Sequence, residues 1–165
     1  AARNNYLEVL IFLHQNGCEM NTDTVNCATS SGNLECLRYA YTNGCKGDET
    51  TCSLAAGEDH VNCLAFLHQN GCKWGPFITT VAARCGSLNC LHYLHEHGCK
   101  LTKKAVVASL QSRQLSCFKY MIYNCVPIDD DIRHAAKVAG GEFAELIASF
   151  DADAAKRNKF GCAVC

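Results

Sequence analysis

Residues 82–99 read AARCGSLNCLHYLHEHGC, and the pattern of this stretch recurs along the chain every 27 residues. Its closing Gly-Cys pair, Gly98-Cys99, has copies that end at Cys18, Cys45 and Cys72. Two more columns keep the same register, one of cysteine and one of alanine: Cys36, Cys63, Cys90, Cys117 and Ala1, Ala28, Ala55, Ala82, Ser109, Ala136. Three columns in one register over most of the chain indicate an array of repeated units.

Each unit is predicted to hold two short helices. The first begins after a residue type favoured at a helix N-cap: Asn21, Asp48, Gly75, Thr102 or Asp129. Pro76 is expected at the first helical position of its unit, where its missing N–H costs nothing. The second helix has a wider apolar face and ends at the glycine of the Gly-Cys pair. A hairpin of this size cannot bury its own apolar face, so neighbouring units must stack.

The predicted fold class is therefore all-α: an α-solenoid of stacked antiparallel helix pairs in a single domain, residues 1–150. The units are a partial one at 1–18, full ones at 19–45, 46–72, 73–99 and 100–126, and a capping unit at 127–150. In the capping unit Glu142 and Glu145 occupy core columns, as a terminal repeat with a polar outer face requires. Its apolar residues are shifted by one place: Phe143, Leu146 and Ile147.

The unit resembles the short ankyrin-like repeats of protists and large DNA viruses. The resemblance rests on Ala-Ala-x-x-Gly-x-Leu-x-Cys-Leu-x-Tyr-Leu-His-x-x-Gly-Cys at 82–99 and on Trp74 two places after Cys72, and it covers residues 1–150. An ordinary ankyrin repeat has about 33 residues and opens with Thr-Pro-Leu-His. Here six residues and that motif are missing, so the β-hairpin fingers are expected to be shortened or absent. The resemblance implies a protein-interaction scaffold with no active site and no cofactor.

A leucine-rich repeat also permits a 27-residue period and stays as an alternative. In that pattern Asn43 falls one place late, and the alanine column has no role.

Composition excludes several classes of function. The chain has 15 basic and 16 acidic residues, so no global field attracts nucleic acid or a membrane surface. No apolar run approaches the ~18–20 residues that span a bilayer. The chain begins at Ala1 without a signal-peptide pattern, which suggests a fragment or a processed product. We expect a monomer in the cytoplasm.

The 14 cysteines are predicted to be small buried apolar residues in a reducing compartment. Equivalent cysteines of stacked units should lie about 8–10 Å apart, whereas a disulfide needs Cα atoms within about 7 Å. A zinc site is the alternative, because His-x-x-x-Cys occurs at His14, His68 and His95, but each copy supplies two ligands where four are needed. Catalysis would need a third group to orient a Cys–His pair, and no enzyme is predicted.

The binding face is predicted by subtraction, since constant columns pack and variable columns are free for a partner. Stacked first helices line the concave surface that solenoids use for binding. The predicted contact residues are Asp23, Asn26, Thr50, Ser53, Phe77, Thr80, Arg84, Lys104, Val107 and Gln111. Phe77 is the expected anchor because aromatic residues dominate binding hot spots, whereas Trp74 is expected in the core. The predicted function is a scaffold or adaptor that binds another protein; a passive spacer between flanking domains is the alternative.

Residues 151–165 are predicted to form a C-terminal tail outside the repeats. Cys162-Ala163-Val164-Cys165 follows the basic residues Lys156, Arg157 and Lys159. This is the layout of a prenylated anchor, so Cys162 is a candidate lipidation site and the one predicted route to a membrane.

Overall fold

The computed structural model describes residues 1–2, 6–124 and 126–159, with side chains described as far as residue 152. Within this part of the chain there are eleven helices and no strand. The helices are α1 Leu7–Gln15, α2 Thr22–Ser30, α3 Leu34–Thr42, α4 Glu49–Gly57, α5 Val61–Gln69, α6 Ile78–Cys85, α7 Leu88–Glu96, α8 Lys103–Gln111, α9 Leu115–Tyr123, α10 Asp130–Ala139 and α11 Glu142–Lys159. The all-α solenoid is confirmed.

The helices form a single row of hairpins. The even-numbered helices α2 to α10 are the first helices of their units, and each packs on the odd-numbered helix that follows it. Each first helix also packs on the first helices of the neighbouring units, most closely between α6 and α8. The second helices of neighbouring units approach one another less closely. The first helices therefore form the tight side of the row.

Small residues allow this close approach. The alanine column of the sequence lies at the contacts between first helices and is fully buried at Ala28, Ala55, Ala82, Ser109 and Ala136. On the second helices the large residues of the core include the column Leu37, Leu64, Leu91 and Phe118, each fully buried. Cys36, Cys63, Cys90 and Cys117 are also buried beside them, as predicted for small apolar residues.

The recurrent glycine ends each second helix in a left-handed conformation. Gly17, Gly44, Gly71 and Gly98 have φ between +79° and +91°. The N–H of Gly98 donates to the carbonyl of His95, and the N–H of Cys99 donates to the carbonyl of Leu94. These two bonds form the Schellman motif that glycine at this place favours.

The turn between the two helices of a unit also contains one residue in the left-handed conformation. Gly32, Gly86 and Gly140 have positive φ at this place, and the other units have Asp59 and Arg113 there, with φ of +56° and +58°. Such values are unfavourable for a residue with a Cβ. The Asp59 carboxylate offsets this cost, because it accepts hydrogen bonds from the Asn89 amide and from the Cys90 N–H at 2.7 and 2.9 Å.

Four of the five predicted N-caps are confirmed. The side chains of Asn21, Asp48, Thr102 and Asp129 accept backbone N–H groups of the helices they precede. The fifth is wrong: α6 begins at Ile78 after Phe77, so Gly75 is not its N-cap and Pro76 lies before the helix. Gly75 has no side-chain acceptor for the first N–H groups, and the chain makes a turn there in which the Ile78 N–H donates to the Gly75 carbonyl.

Replacing Asp48 by alanine should lower the free energy of unfolding by about 1 kcal/mol, measured by urea denaturation. The Asp48 carboxylate accepts the Thr51 N–H at 3.0 Å, and the Thr51 hydroxyl accepts the Asp48 N–H at 3.1 Å. Asp48→Asn is the control, because Asn21 caps α2 in the same way. If Asp48→Asn were as damaging as Asp48→Ala, the cap would not explain the loss.

The same cap gives Asp48 a defined pH dependence. Hydrogen bonds from the backbone, first that of Thr51, hold the pKa of the Asp48 carboxyl below its usual value. A carboxylate with a lowered pKa stabilises the fold above its unfolded pKa, and this stabilisation disappears as the pH falls through the lower, folded pKa. The wild type should therefore lose more stability than Asp48→Asn between about pH 4 and the acid limit.

The last hairpin closes the row. Phe143 and Ile147 are buried, whereas Glu142 and Glu145 are exposed. Helix α11 then continues to Lys159, across the predicted start of the tail at residue 151, and the Arg133 guanidinium pairs with Asp151 at 2.9 Å. No proline or glycine interrupts the chain between 142 and 159, so nothing ends the helix at residue 150. Cys162 lies outside the described residues.

Candidate protein-binding surface

The ten predicted contact residues divide into two groups by exposure. Six are exposed: Asp23, Thr50, Phe77, Arg84, Lys104 and Gln111. Four are half-buried: Asn26, Ser53, Thr80 and Val107. Among the latter, Asn26 accepts a hydrogen bond from the Thr51 hydroxyl of the next unit at 2.6 Å, and the Ser53 hydroxyl donates to the Glu49 carbonyl. Asn26 and Ser53 are thus engaged within the repeats.

Phe77 and Lys104 meet across two units. The Phe77 side chain lies just before α6 and is 60% exposed. The Lys104 Nζ, at the start of α8, lies 5.5 Å from the centre of the Phe77 ring. Such a cation–π contact at an exposed site contributes about 0.5–1 kcal/mol. The contact favours this position of the ring and leaves the ring exposed to solvent.

An open groove lies beside this pair. One wall comes from Trp74 and Pro76 in the turn before α6 and from Ile78, the first residue of α6. The other wall comes from Lys100 and Thr102 in the loop before α8. Trp74 is half-buried and packs against the core, as predicted. The centre of its ring lies 4.1 Å from the centre of the His68 ring. The groove combines an apolar wall with a lysine at its rim.

Charges of both signs lie near the groove: Lys100 lines it, and the Glu49 carboxylate lies against Gly75, which also lines it. Within the part of the chain that the structure describes, Lys73, Arg84, Lys100 and Lys104 are exposed and form no ion pair with a carboxylate. Lys103, by contrast, pairs with Asp129 and Asp131 of the next unit, which raises the pKa of its ammonium group. The Glu49 carboxylate occupies the space left by the missing Cβ of Gly75.

A ladder of histidine–tyrosine hydrogen bonds joins the second helices, and sequence reasoning missed it. The Nδ1 atoms of three histidines lie 2.9–3.0 Å from tyrosine hydroxyls of the next unit: His14–Tyr39, His68–Tyr93 and His95–Tyr120. Where the tyrosine is replaced by Phe66, the histidine is replaced by Tyr41, and these two rings pack edge to face. This paired replacement is a signal that the sequence contains.

The same ladder bears on the zinc site that was the alternative interpretation of the His-x-x-x-Cys pairs. The Nδ1 atoms of all three histidines are engaged by tyrosines, and burial, followed by the charge of His97, lowers the pKa of His68. No group of three or more His, Cys, Asp or Glu residues is placed to hold a metal ion in the described ranges.

Exposed apolar residues also occur outside the predicted face. Around α1 they are Tyr6, Val9, Phe12 and Leu13; farther along the chain they are Tyr123 and Val138. The described residues include no first helix for the partial unit to which α1 belongs. No helix in the described part of the chain is both long and apolar enough to cross a membrane.

No family model matches the sequence, and no curated protein matches it significantly. Among solved structures, however, 91 chains match. One is the human ASB11 ankyrin repeat domain, with a TM-score of 0.77 over 91% of this chain and 81% of that chain. The chain has the ankyrin-repeat fold. The sequence identity is 18%, so the likeness concerns the fold. Within this ankyrin-repeat fold the described residues contain no strand, which agrees with the expected loss of the β-hairpin fingers.

Proposed function

We propose that this ankyrin-repeat chain is a scaffold or adaptor that binds a partner protein on its first-helix face. Solenoids generally bind other proteins along an extended concave surface. The first helices approach one another more closely than the second helices do, which supports placing the first-helix face on the concave side. The predicted residues that are exposed on this face are Asp23, Thr50, Phe77, Arg84, Lys104 and Gln111.

The Phe77–Lys104 contact carries the proposal. An aromatic side chain that is 60% exposed adds unfavourable apolar surface unless a partner covers it, and here a lysine from the next unit lies over the ring. Aromatic anchors at the centre of an interface supply most of the binding energy in many complexes. We therefore place Phe77 at the centre of the interface.

The surroundings of Phe77 define the chemistry of the partner. The groove of Trp74, Pro76 and Ile78 accepts an apolar side chain. Lys100, which lines the groove, and Lys104, which lies over Phe77, favour carboxylates on the partner. The proposed partner element is an apolar side chain flanked by acidic residues.

The proposal also retains a monomeric chain without catalytic activity, in the cytoplasm. Cys36, Cys63, Cys90 and Cys117 are buried in the core as small apolar residues, which supports a reducing compartment. The partner is a protein and not a nucleic acid, because the net charge of the chain is −1.

The test is affinity capture with wild-type and variant chains, followed by titration of the captured partner. Phe77→Ala should weaken binding by about 30-fold or more. Lys104→Glu should also weaken binding, and its effect should be larger at low salt than at high salt because salt screens charge interactions. Tyr123→Ala is the matched control, since Tyr123 is an aromatic residue of similar exposure, 63%, on the second helix α9.

The proposed face is wrong if Phe77→Ala leaves every affinity unchanged while Tyr123→Ala reduces one. A chain that captures no protein in any of its forms would instead match the passive spacer.

A further inference from the structure

Two cysteine sulfurs meet in unit 46–72. Cys52 lies on α4, and Cys72 lies in the loop after α5. The Cys52 thiol donates to the Cys72 Sγ, with the two sulfurs 3.0 Å apart, and the Cys72 thiol donates to the Asp48 carbonyl at 3.2 Å. A disulfide bond is about 2.05 Å long, so the sulfurs need to approach by only about 1 Å to bond.

The contact is specific to one unit and does not follow from duplication of the repeat. The residues at the same two places in the other full units are Val25 with Cys45, Thr79 with Cys99, and Val106 with Val126. Only unit 46–72 has cysteine at both places. Among the described cysteines, no other two sulfurs are in hydrogen-bond contact. Column neighbours such as Cys63 and Cys90 do not meet, which agrees with the spacing of the units.

The two thiols differ in access to solvent. Cys52 is fully buried, whereas Cys72 is 9% exposed and lines an open groove together with His68, Lys73 and Trp74. Burial, followed by the neighbouring Cys72, raises the pKa of the Cys52 thiol far above its usual value. Cys52 therefore stays protonated, and Cys72 is the sulfur that a small oxidant from solvent meets first.

We propose that Cys52 and Cys72 form an oxidation site that reacts with hydrogen peroxide and closes a disulfide within unit 46–72. Cys72 loses its proton and attacks one peroxide oxygen; the O–O bond breaks, and the leaving hydroxide takes up a proton to give water and a Cys72 sulfenic acid. Cys52 then attacks the Cys72 sulfur. The S–S bond forms, the S–O bond breaks, and hydroxide leaves with the Cys52 proton as a second water. The two thiols lose two electrons, and peroxide gains them.

The disulfide would fix the start of the turn that carries Trp74 and Phe77. It joins α4 to the residue directly before Lys73, so the loop into α6 is tied to the preceding first helix. It also constrains the unfolded chain by closing a loop of about 20 residues. Oxidation should therefore raise the melting temperature of the chain, by roughly 5–10 °C.

The experiment treats the full reduced chain with a small excess of hydrogen peroxide and blocks remaining thiols before digestion. Cleavage after Lys46, Glu58, Phe66 and Lys73 separates the three cysteines of this segment, Cys52, Cys63 and Cys72. Mass spectrometry should find the Cys52 and Cys72 peptides joined with the loss of two hydrogens, and dithiothreitol should separate them. The melting temperature, measured by circular dichroism, should rise when the peptides become joined and fall back when dithiothreitol separates them.

Two variants test the assignment without disturbing the repeat pattern. Cys52→Val copies Val25 and Val106, and Cys72→Val copies Val126, so both substitutions place a residue that other units already contain. Both should abolish the joined peptides and the peroxide-dependent rise in melting temperature, whereas Cys63→Ala should retain them. A link from Cys72 to Cys63 would overturn the proposal. So would oxidation of Cys72 to a sulfinic acid while Cys52 remains a free thiol, or recovery of both as thiols.

Discussion

Replacing Leu64 by alanine is expected to lower the free energy of unfolding by about 2–5 kcal/mol. Leu64 lies on α5 in the middle of the row and is fully buried. Alanine removes its apolar contacts and leaves a cavity, and the helices on both sides limit how far the site can collapse. Urea denaturation followed by circular dichroism measures the loss, and an unchanged m-value would show that the transition still involves the whole row.

The control for Leu64 is another member of its own column. Leu10 stands 54 residues earlier, two repeats away, and is almost as buried, at 6% exposure. It lies on α1, which stands at the N-terminal end of the described row and is the second helix of its partial unit. Because each unit of a solenoid is stabilised mainly by its neighbours, Leu10→Ala should unravel α1 locally and cost the remaining units less. Equal losses at Leu10 and Leu64 would contradict nearest-neighbour stabilisation.

The architecture could be predicted from the sequence because the chain repeats it. Five copies of one pattern average out the local ambiguity of any single helix, so the helix pairs, the buried columns and the left-handed glycines were all found from periodicity. The N-caps were predictable for the same reason: a residue with a side-chain oxygen recurs at one place in the repeat, directly before the first helix of most units. The N-cap predicted at Gly75 was wrong because glycine there leaves space for Glu49 and α6 begins only at Ile78.

The contacts between units were harder to predict. Column analysis shows which residues are equivalent but not which of them meet across the stack. The His68–Tyr93 bond joins residues 25 apart in neighbouring units, so it pairs two different columns of the repeat. The Cys52–Cys72 contact likewise joins two different columns, but within one unit. For the same reason Asn26 was predicted to be a free surface residue, whereas its amide oxygen accepts a hydrogen bond from the Thr51 hydroxyl of the next unit. Exposure of Phe77 was predictable, but its contact with Lys104 required the packing of α6 on α8.

Replacing Ala82 by leucine is expected to destabilise the chain by about 1–3 kcal/mol. Ala82 lies on α6 and is fully buried, in the column of small residues between the first helices. Its neighbour α8 is the first helix that approaches α6 most closely. Three additional carbon atoms have no space there, so α6 and α8 must move apart or the leucine must adopt a strained rotamer. Thermal or urea unfolding measures the effect.

Two other substitutions separate overpacking from a general effect of leucine or of the column. Arg84→Leu introduces leucine two residues later on the exposed face of the same helix, and its effect should stay within about 0.5 kcal/mol. Ser109→Ala removes an atom from the Ala82 column without adding volume, and the Ser109 hydroxyl only donates to the Val106 carbonyl of its own helix. This change should also be small.

The Ala82→Leu result bears directly on the binding proposal. A row that is tighter along its first helices than along its second helices curves towards the first helices, and this curvature is the argument for a concave first-helix face. Separating α6 from α8 should also pull Lys104 away from Phe77, since the two side chains belong to these neighbouring units. Ala82→Leu should therefore weaken partner binding as well as the fold, although Ala82 itself is buried and cannot touch a partner. If Ala82→Leu is as harmless as Arg84→Leu, the first helices are not closely packed, and the concave assignment loses its physical basis.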